Sequence, residues 1–207
     1  MALVKYNNNS ISAISSAGQL AQGSLVPIKT LTASGSASLS FVHGSNDVVL
    51  DSTYPIYKFE FINIHPSADG VDLNFQASTN GGSSYGVTAT DSYFRAIHNE
   101  SDTTAALQYD GAEDIAQGTS FFPITMPVGS DNDQSAVAVL HLFNPSSTTF
   151  VKHFLSTSNM VNPNDLDGNV YVGGYFNTTS SINAVQFKFD SGNIDSGKIK
   201  LYGIKDS

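Results

Sequence analysis

Apolar and polar residues alternate with a period of two through almost the whole chain, and helical spacing is nearly absent. A chain patterned this way exposes one face of each segment to water and must bury the other, so it folds as strands. The clearest runs are Leu25–Thr32, Ala37–Val42, Tyr54–Ile64, Val71–Ala77, Tyr93–His98, Ala136–Phe143, Phe150–Ser156, Val170–Asn177, Ala184–Phe189 and Lys198–Ile204. In Tyr57-Lys58-Phe59-Glu60-Phe61 the aromatics take one face and the charges the other. Val71, Leu73 and Phe75 separate in the same way from Asp72, Asn74 and Gln76, as do Val185, Phe187 and Phe189 from Gln186 and Lys188. The phase changes after Phe61, which predicts a bulge or a strand end near Asn63.

Turn residues separate the runs: His65-Pro66-Ser67-Ala68-Asp69-Gly70, Asn80-Gly81-Gly82-Ser83-Ser84, Asn144-Pro145-Ser146-Ser147 and Asp195-Ser196-Gly197. Many short strands joined by short polar links make an all-β fold, a single antiparallel β-sandwich that is jelly-roll-like. Residues 1–24 are set apart by Asn7-Asn8-Asn9-Ser10 and Ser15-Ser16-Ala17-Gly18, and read as a short extended arm ahead of a sandwich domain over 25–207. The aliphatic and aromatic residues Leu3, Val4, Tyr6, Ile11 and Ile14 give that arm something to dock with on a neighbour. Asn99–Ser130 is the longest stretch without strong periodicity, so it is expected to form a long outward loop, with a single helical turn over Asp114–Gln117.

Composition narrows the function classes. At 207 residues the chain can bury one full core. Only 13% of it is charged, with 9 Lys and Arg against 18 Asp and Glu, so its polar surface is mostly hydroxyl and amide. An acidic chain without a basic block does not neutralise phosphates, and nucleic acid is not an expected partner. No stretch approaches the ~20 apolar residues of a membrane helix, so no membrane insertion is expected. The opening Met1 to Asn9 lacks the apolar core of a secretory signal, which leads to the expectation of a chain made without one. With no Cys, a disulfide framework, a thiolate nucleophile and a Cys-ligated zinc are all excluded.

Motifs for catalysis are weak. The five His, at 43, 65, 98, 141 and 153, show no helical metal spacing, although a hairpin would bring His141 and His153 near each other. Gly81-Gly82 precedes no phosphate-cradling helix. Asn162 to Gly168 has the oxygen-rich look of a calcium loop, but its register puts Pro163 at the first ligand position and Gly174 at the twelfth. No catalytic residue, cofactor or metal is therefore assigned. Tyr85 and Tyr109, with Asp131 and Asp133, are the candidate outward surface, since tyrosines near loops supply contact area at little entropic cost.

The order of motifs carries a resemblance. Ser24-Leu-Val-Pro-Ile-Lys-Thr-Leu-Thr-Ala-Ser34 leads to Leu39-Ser40-Phe41, to Tyr57 through Pro66, to Asn80-Gly81-Gly82-Ser83-Ser84-Tyr85, and to a closing Ser191 through Lys205 with Leu201-Tyr202-Gly203-Ile204. Together with the Met-Ala-Leu-Val-Lys-Tyr-Asn-Asn-Asn-Ser start, this resembles the virion structural proteins of marine tailed bacteriophages. The resemblance implies a noncatalytic tail-fibre or adhesin subunit, or else a capsid decoration protein on the head. It implies a virion location after assembly in the host cytoplasm, a homo-oligomer with a trimer favoured, contacts with other virion proteins, and a host surface glycan as ligand. A stand-alone carbohydrate-binding module is the alternative that the tyrosines leave open. In the closing strand Gly197 is expected at the start, Ile199 and Leu201 toward the core, and Gly203 against a neighbouring backbone.

Overall fold

The computed structural model describes residues 24–206, so Leu3, Val4, Tyr6, Ile11 and Ile14 of the expected arm lie outside the described residues. Within them the regular structure is all strand: β1 (Leu25–Thr32), β2 (Leu39–Val42), β3 (Ile56–Pro66), β4 (Leu73–Ser78), β5 (Ala89–Asn99), β6 (Ala105–Tyr109), β7 (Phe122–Pro123), β8 (Ala136–Phe143), β9 (Lys152–Val161), β10 (Leu166–Phe176), β11 (Ala184–Phe189) and β12 (Ile194–Ile204). They form two antiparallel sheets, a large one in the order β1-β12-β3-β8-β9-β10-β5-β6 and a small one in the order β2-β11-β4-β7.

The wind is that of a jelly roll with an addition. Without β5, β6, β9 and β10, the other eight strands read first-eighth-third-sixth in one sheet and second-seventh-fourth-fifth in the other, the two interlocked Greek keys of that fold. The hairpins β5–β6 and β9–β10 are inserted into this roll and pair with each other through β10 and β5, carrying the large sheet four strands beyond β8.

Edge-to-face phenylalanines fill the space between the sheets of the roll. Phe187 on β11 stands 5.4 Å from Phe59 and 4.9 Å from Phe61 on β3. Phe75 on β4 reaches Phe122, Phe154 and Phe176, which carries the same packing under the added strands. Tyr57 is wholly buried, and its hydroxyl accepts from Asp51 N at 2.9 Å while donating to Asp51 O at 3.0 Å. Lys152 is also buried, with Nζ donating to the carbonyls of Phe150 and Thr178, so it ties together the loops at one end of the sandwich.

The phase change at Phe61 is a bulge: Asn63 has φ of 49°, and the β3–β8 register slips between Phe61 and Ile64. Gly197 sits opposite the bulge at φ 115°, where a Cβ would lie 2.5 Å from Asn63 O. It therefore lies inside β12, which begins at Ile194, because only a glycine can pass the bulge. Ile199 and Leu201 are buried as expected. Gly203 makes room for the ring of Tyr54, 2.3 Å from a would-be Cβ, and not for a backbone.

Three further expectations are corrected. Asn74 and Gln76 are buried, because residues 119–120 cover the second face of β4 and their carbonyls accept from Gln76 Nε2. Asn99–Ser130 is not one outward loop: it supplies β6 and β7, and Phe122, Ile124, Met126 and Val128 are core residues. This segment alternates too, but Pro123 and Pro127 interrupt it, which fits an edge that runs along β4. No helical turn forms over Asp114–Gln117, where Ile115 N–H donates to Asp91 Oδ1 and Gln117 N–H to Thr90 Oγ1. Side chains of β5 take the donors that a helix would have used.

Candidate functional site

The alternation that buries one face of the large sheet leaves the other outward, and on the added strands that outward face carries exposed apolar side chains among polar ones. Glu60, Val139, Thr157, Tyr171, Phe94 and Tyr109 lie in one row across β3, β8, β9, β10, β5 and β6. Leu155 is 56% exposed and Leu107 75%, and Val137 on β8 and Ile62 on β3 are exposed on the same sheet. Between these side chains run two shallow grooves, one of about 360 Å³ with Ile62, Val137, Thr157 and Asn169 on its walls, the other of about 510 Å³ with Phe143, His153, Leu155 and Tyr175. Exposed apolar side chains gathered on one face of a sheet are a common feature of interaction surfaces. The rings of Phe94 and Tyr171 stack within 10° of parallel at 5.1 Å. Neighbouring strands are themselves about 4.8 Å apart, so these rings stand on edge to the sheet and present rims, not the flat faces on which a sugar would stack.

Charge is distributed unevenly along the large sheet. Lys29, Lys58, Lys198, Lys200 and Lys205 lie on or next to β1, β3 and β12, which is five of the nine basic residues of the chain. At the other edge Glu100, Asp102, Asp110, Glu113 and Asp114 flank β6. The nearest basic side chains there are already engaged, Arg95 with Asp110 at 2.9 Å and His98 with Asp102 at 3.0 Å.

Beside β5, where the Asp72 end of β4 and the 110–115 segment approach it, lies a polar corner. Tyr93 of β5 is fully buried, and its hydroxyl has no hydrogen-bond partner among the described residues. Asp72 Oδ1 and Asp91 Oδ2 are buried without partners as well. Burial pushes the Asp72 carboxyl up to about 7, aided by the charges of Glu113 and Asp190 and opposed by Arg95. Burial likewise raises Asp91 to about 6, against the Ile115 N–H that its other oxygen accepts. Glu113 is raised by burial and by Asp110. Unpaired polar atoms in such a place cost stability.

The residues singled out from sequence do not converge. Tyr85 is half-buried at one end of the sandwich, with its ring 6.3 Å from Phe121, over which Lys188 Nζ sits at 4.4 Å. Tyr109 is 59% exposed on the sheet edge and donates to Asp114. Asp131 and Asp133 occupy an exposed turn at the end opposite Tyr85, next to Gln134, whose carbonyl O lies 2.8 Å from His65 Nδ1. Asp133, Asp195 and His65 line a groove of about 570 Å³ there, and neither Asp72, Asp91 nor Glu113 reaches it. His141 is opposite Leu155, and His153 opposite Tyr175, so the two histidines are diagonal neighbours with separate surroundings. The Asn162 stretch is the β9–β10 turn, in which Asn162 Oδ1 accepts from Asn164 N and Leu166 N. Among the described residues no group of three or more His, Asp or Glu is placed to hold a metal ion.

Sequence reasoning missed the β6 edge. Ala105-Ala-Leu-Gln-Tyr109 has three apolar residues in its first three positions and no alternation to display, so its only signal was freedom from charge, Pro and Gly. Compared with models of protein families, with curated proteins and with solved structures, the chain matches none.

Proposed function

We propose that this protein is a noncatalytic structural component of a bacteriophage virion, displayed on the particle surface, with a tail-fibre or adhesin subunit as the first reading. The observation that carries the proposal is the four-strand extension of an otherwise complete jelly roll, whose outward face and bare edge hold most of the exposed large apolar side chains. A roll that were merely soluble would gain nothing from Leu107, Leu155, Tyr109 and Phe94 in water, whereas a subunit that meets other proteins uses them. The on-edge rings of Phe94 and Tyr171 favour protein contact over a sugar platform. The carboxyls of raised pKa favour a structural role, since burial raises them and they do not line the Asp133 groove.

Particles of the encoding phage, banded by density and probed with an antibody against this chain, test the proposal. The expected result is a stoichiometric band in intact particles with label on their surface, and its position on tail or head separates the fibre from the decoration reading. Absence of the chain from purified particles would overturn the proposal.

A further inference from the structure

The large sheet ends in two unlike edges. In the β5–β6 pair Asn99 N donates to Thr104 O and Asp110 N to Tyr93 O. Bonded and unbonded positions alternate along an antiparallel pair, so the N–H groups of Ala105, Leu107 and Tyr109 point away from the protein. The five residues of β6 contain no charge, no Pro and no register slip, which are the usual defences of an edge.

The β1 edge is half defended. Lys205 N donates to Ser24 O and Ala33 N to Gly197 O. The same alternation turns the positions of Leu25 and Pro27 outward in the first half, where Pro27 has no N–H to give, and the register slips between Pro27 and Lys29. Past the slip, Thr30 and Thr32 present outward N–H groups beside Lys29 and the β12 residues Lys198 and Lys200, which pair with Thr32 and Thr30.

We propose that the β6 edge of one copy pairs with the Lys29–Thr32 half of β1 on a second copy, head to tail, so that the large sheet continues from subunit to subunit. Charge selects this occupant. A second β6 would bring the acidic flanks of both copies together, whether the strands ran parallel or antiparallel, and like charges at close quarters repel. The β1 edge brings Lys29, Lys198 and Lys200 against Glu100, Asp102 and Asp114 instead. The two edges of one chain are seven strand spacings apart, roughly 34 Å, so they cannot close on each other. The contact is heterologous, and its repetition makes a closed ring or an open filament. This inference rests on the self-assembling virion reading above and names the surface that does the assembling.

The test uses the full chain and measures mass in solution by light scattering, at low and high salt and over a range of concentrations. Wild type should associate, and high salt should weaken the association because exposed charges are screened. Leu107→Pro removes an outward donor while leaving the β5 pairing intact, and should reduce association at least tenfold with an unchanged thermal midpoint. Glu100→Lys with Asp102→Lys, and separately Lys198→Glu with Lys200→Glu, should each weaken association similarly. Mixing the two charge-reversed proteins should restore a mixed assembly by native mass spectrometry. A monomeric wild type overturns the inference, as does a Leu107→Pro variant that associates normally, or a charge-reversed pair that fails to recover on mixing. If the chain is found on particles while these variants assemble unchanged, the inference fails and the virion reading stands. If the chain is absent from particles but the edges pair in solution, only the virion reading falls.

Discussion

The eight strands of the roll and the four strands added to it are built on opposite terms. Inside the roll Tyr57 is fully buried and its hydroxyl is satisfied twice by the backbone of Asp51, whereas inside the extension Tyr93 is equally buried and its hydroxyl is satisfied by nothing described. Outside the roll most of the lysines are gathered, with Lys58 held by Glu60 at 2.7 Å, while outside the extension stand the more numerous exposed apolar side chains, flanked by acids. One part spends its residues on stability. The other tolerates unpaired polar atoms and exposed apolar area, which is where a fold departs from self-consistency for the sake of function.

The contrast can be broken most forcefully in the roll. Phe187→Ala empties a site that touches Phe41, Phe59, Phe61 and Phe75, and should cost about 3–5 kcal/mol in denaturant unfolding. A cost under about 1 kcal/mol would show that the two layers are held together elsewhere.

The polar corner, where Asp72 of the roll meets β5 of the extension, carries a pH dependence. Folding raises the carboxyl pKa of Asp72 to about 7 and of Asp91 to about 6, so the folded state holds protons that the unfolded chain releases near pH 4. Stability from these groups is full below about pH 4, falls as pH rises through 6 and 7, and is flat above. Asp72→Asn should remove a loss of roughly 2 kcal/mol between pH 4 and 8, a figure reduced from the full linkage value for partial solvation of the carboxyl. Unfolding curves at a series of pH values check both slope and sign, and a variant with the wild-type slope would place the titration elsewhere.

The two tyrosines sharpen the comparison at smaller scale. Tyr57→Phe abandons the Asp51 backbone groups and should cost about 1–2 kcal/mol, whereas Tyr93→Phe removes an unpartnered hydroxyl and should leave stability unchanged or raise it by about 1 kcal/mol. Equal losses in thermal unfolding would show that Tyr93 has a partner after all. Smallest of all, Leu155→Ser on the outward face should shift stability by no more than about 0.5 kcal/mol, because the side chain is already in water.

Strands that keep one wet face were legible in the sequence: Leu25–Thr32, Ala136–Phe143 and Ala184–Phe189 coincide with β1, β8 and β11, and the slipped phase at Asn63 is a real bulge. What alternation could not reveal is anything decided by a second layer. Gln76 reads as an outward residue until residues 119–120 are laid over it, and Phe122 to Val128 reads as a loop because the prolines that disqualify a central strand are harmless at an edge. The β6 edge was invisible for the opposite reason: Ala105–Tyr109 carries no pattern, and its place at the edge comes only from being last in the sheet order. Of the residues picked as an outward surface, Tyr109 lies on that edge, while Tyr85, Asp131 and Asp133 lie at two other places.

The most direct test of the unlike-edge account is amide hydrogen exchange of the full chain at low and high protein concentration. The account predicts that protection at Ala105, Leu107 and Tyr109 rises with concentration together with protection at Thr30 and Thr32, while Leu25 changes little. Protection that rises at β6 alone, or at neither edge, would contradict it.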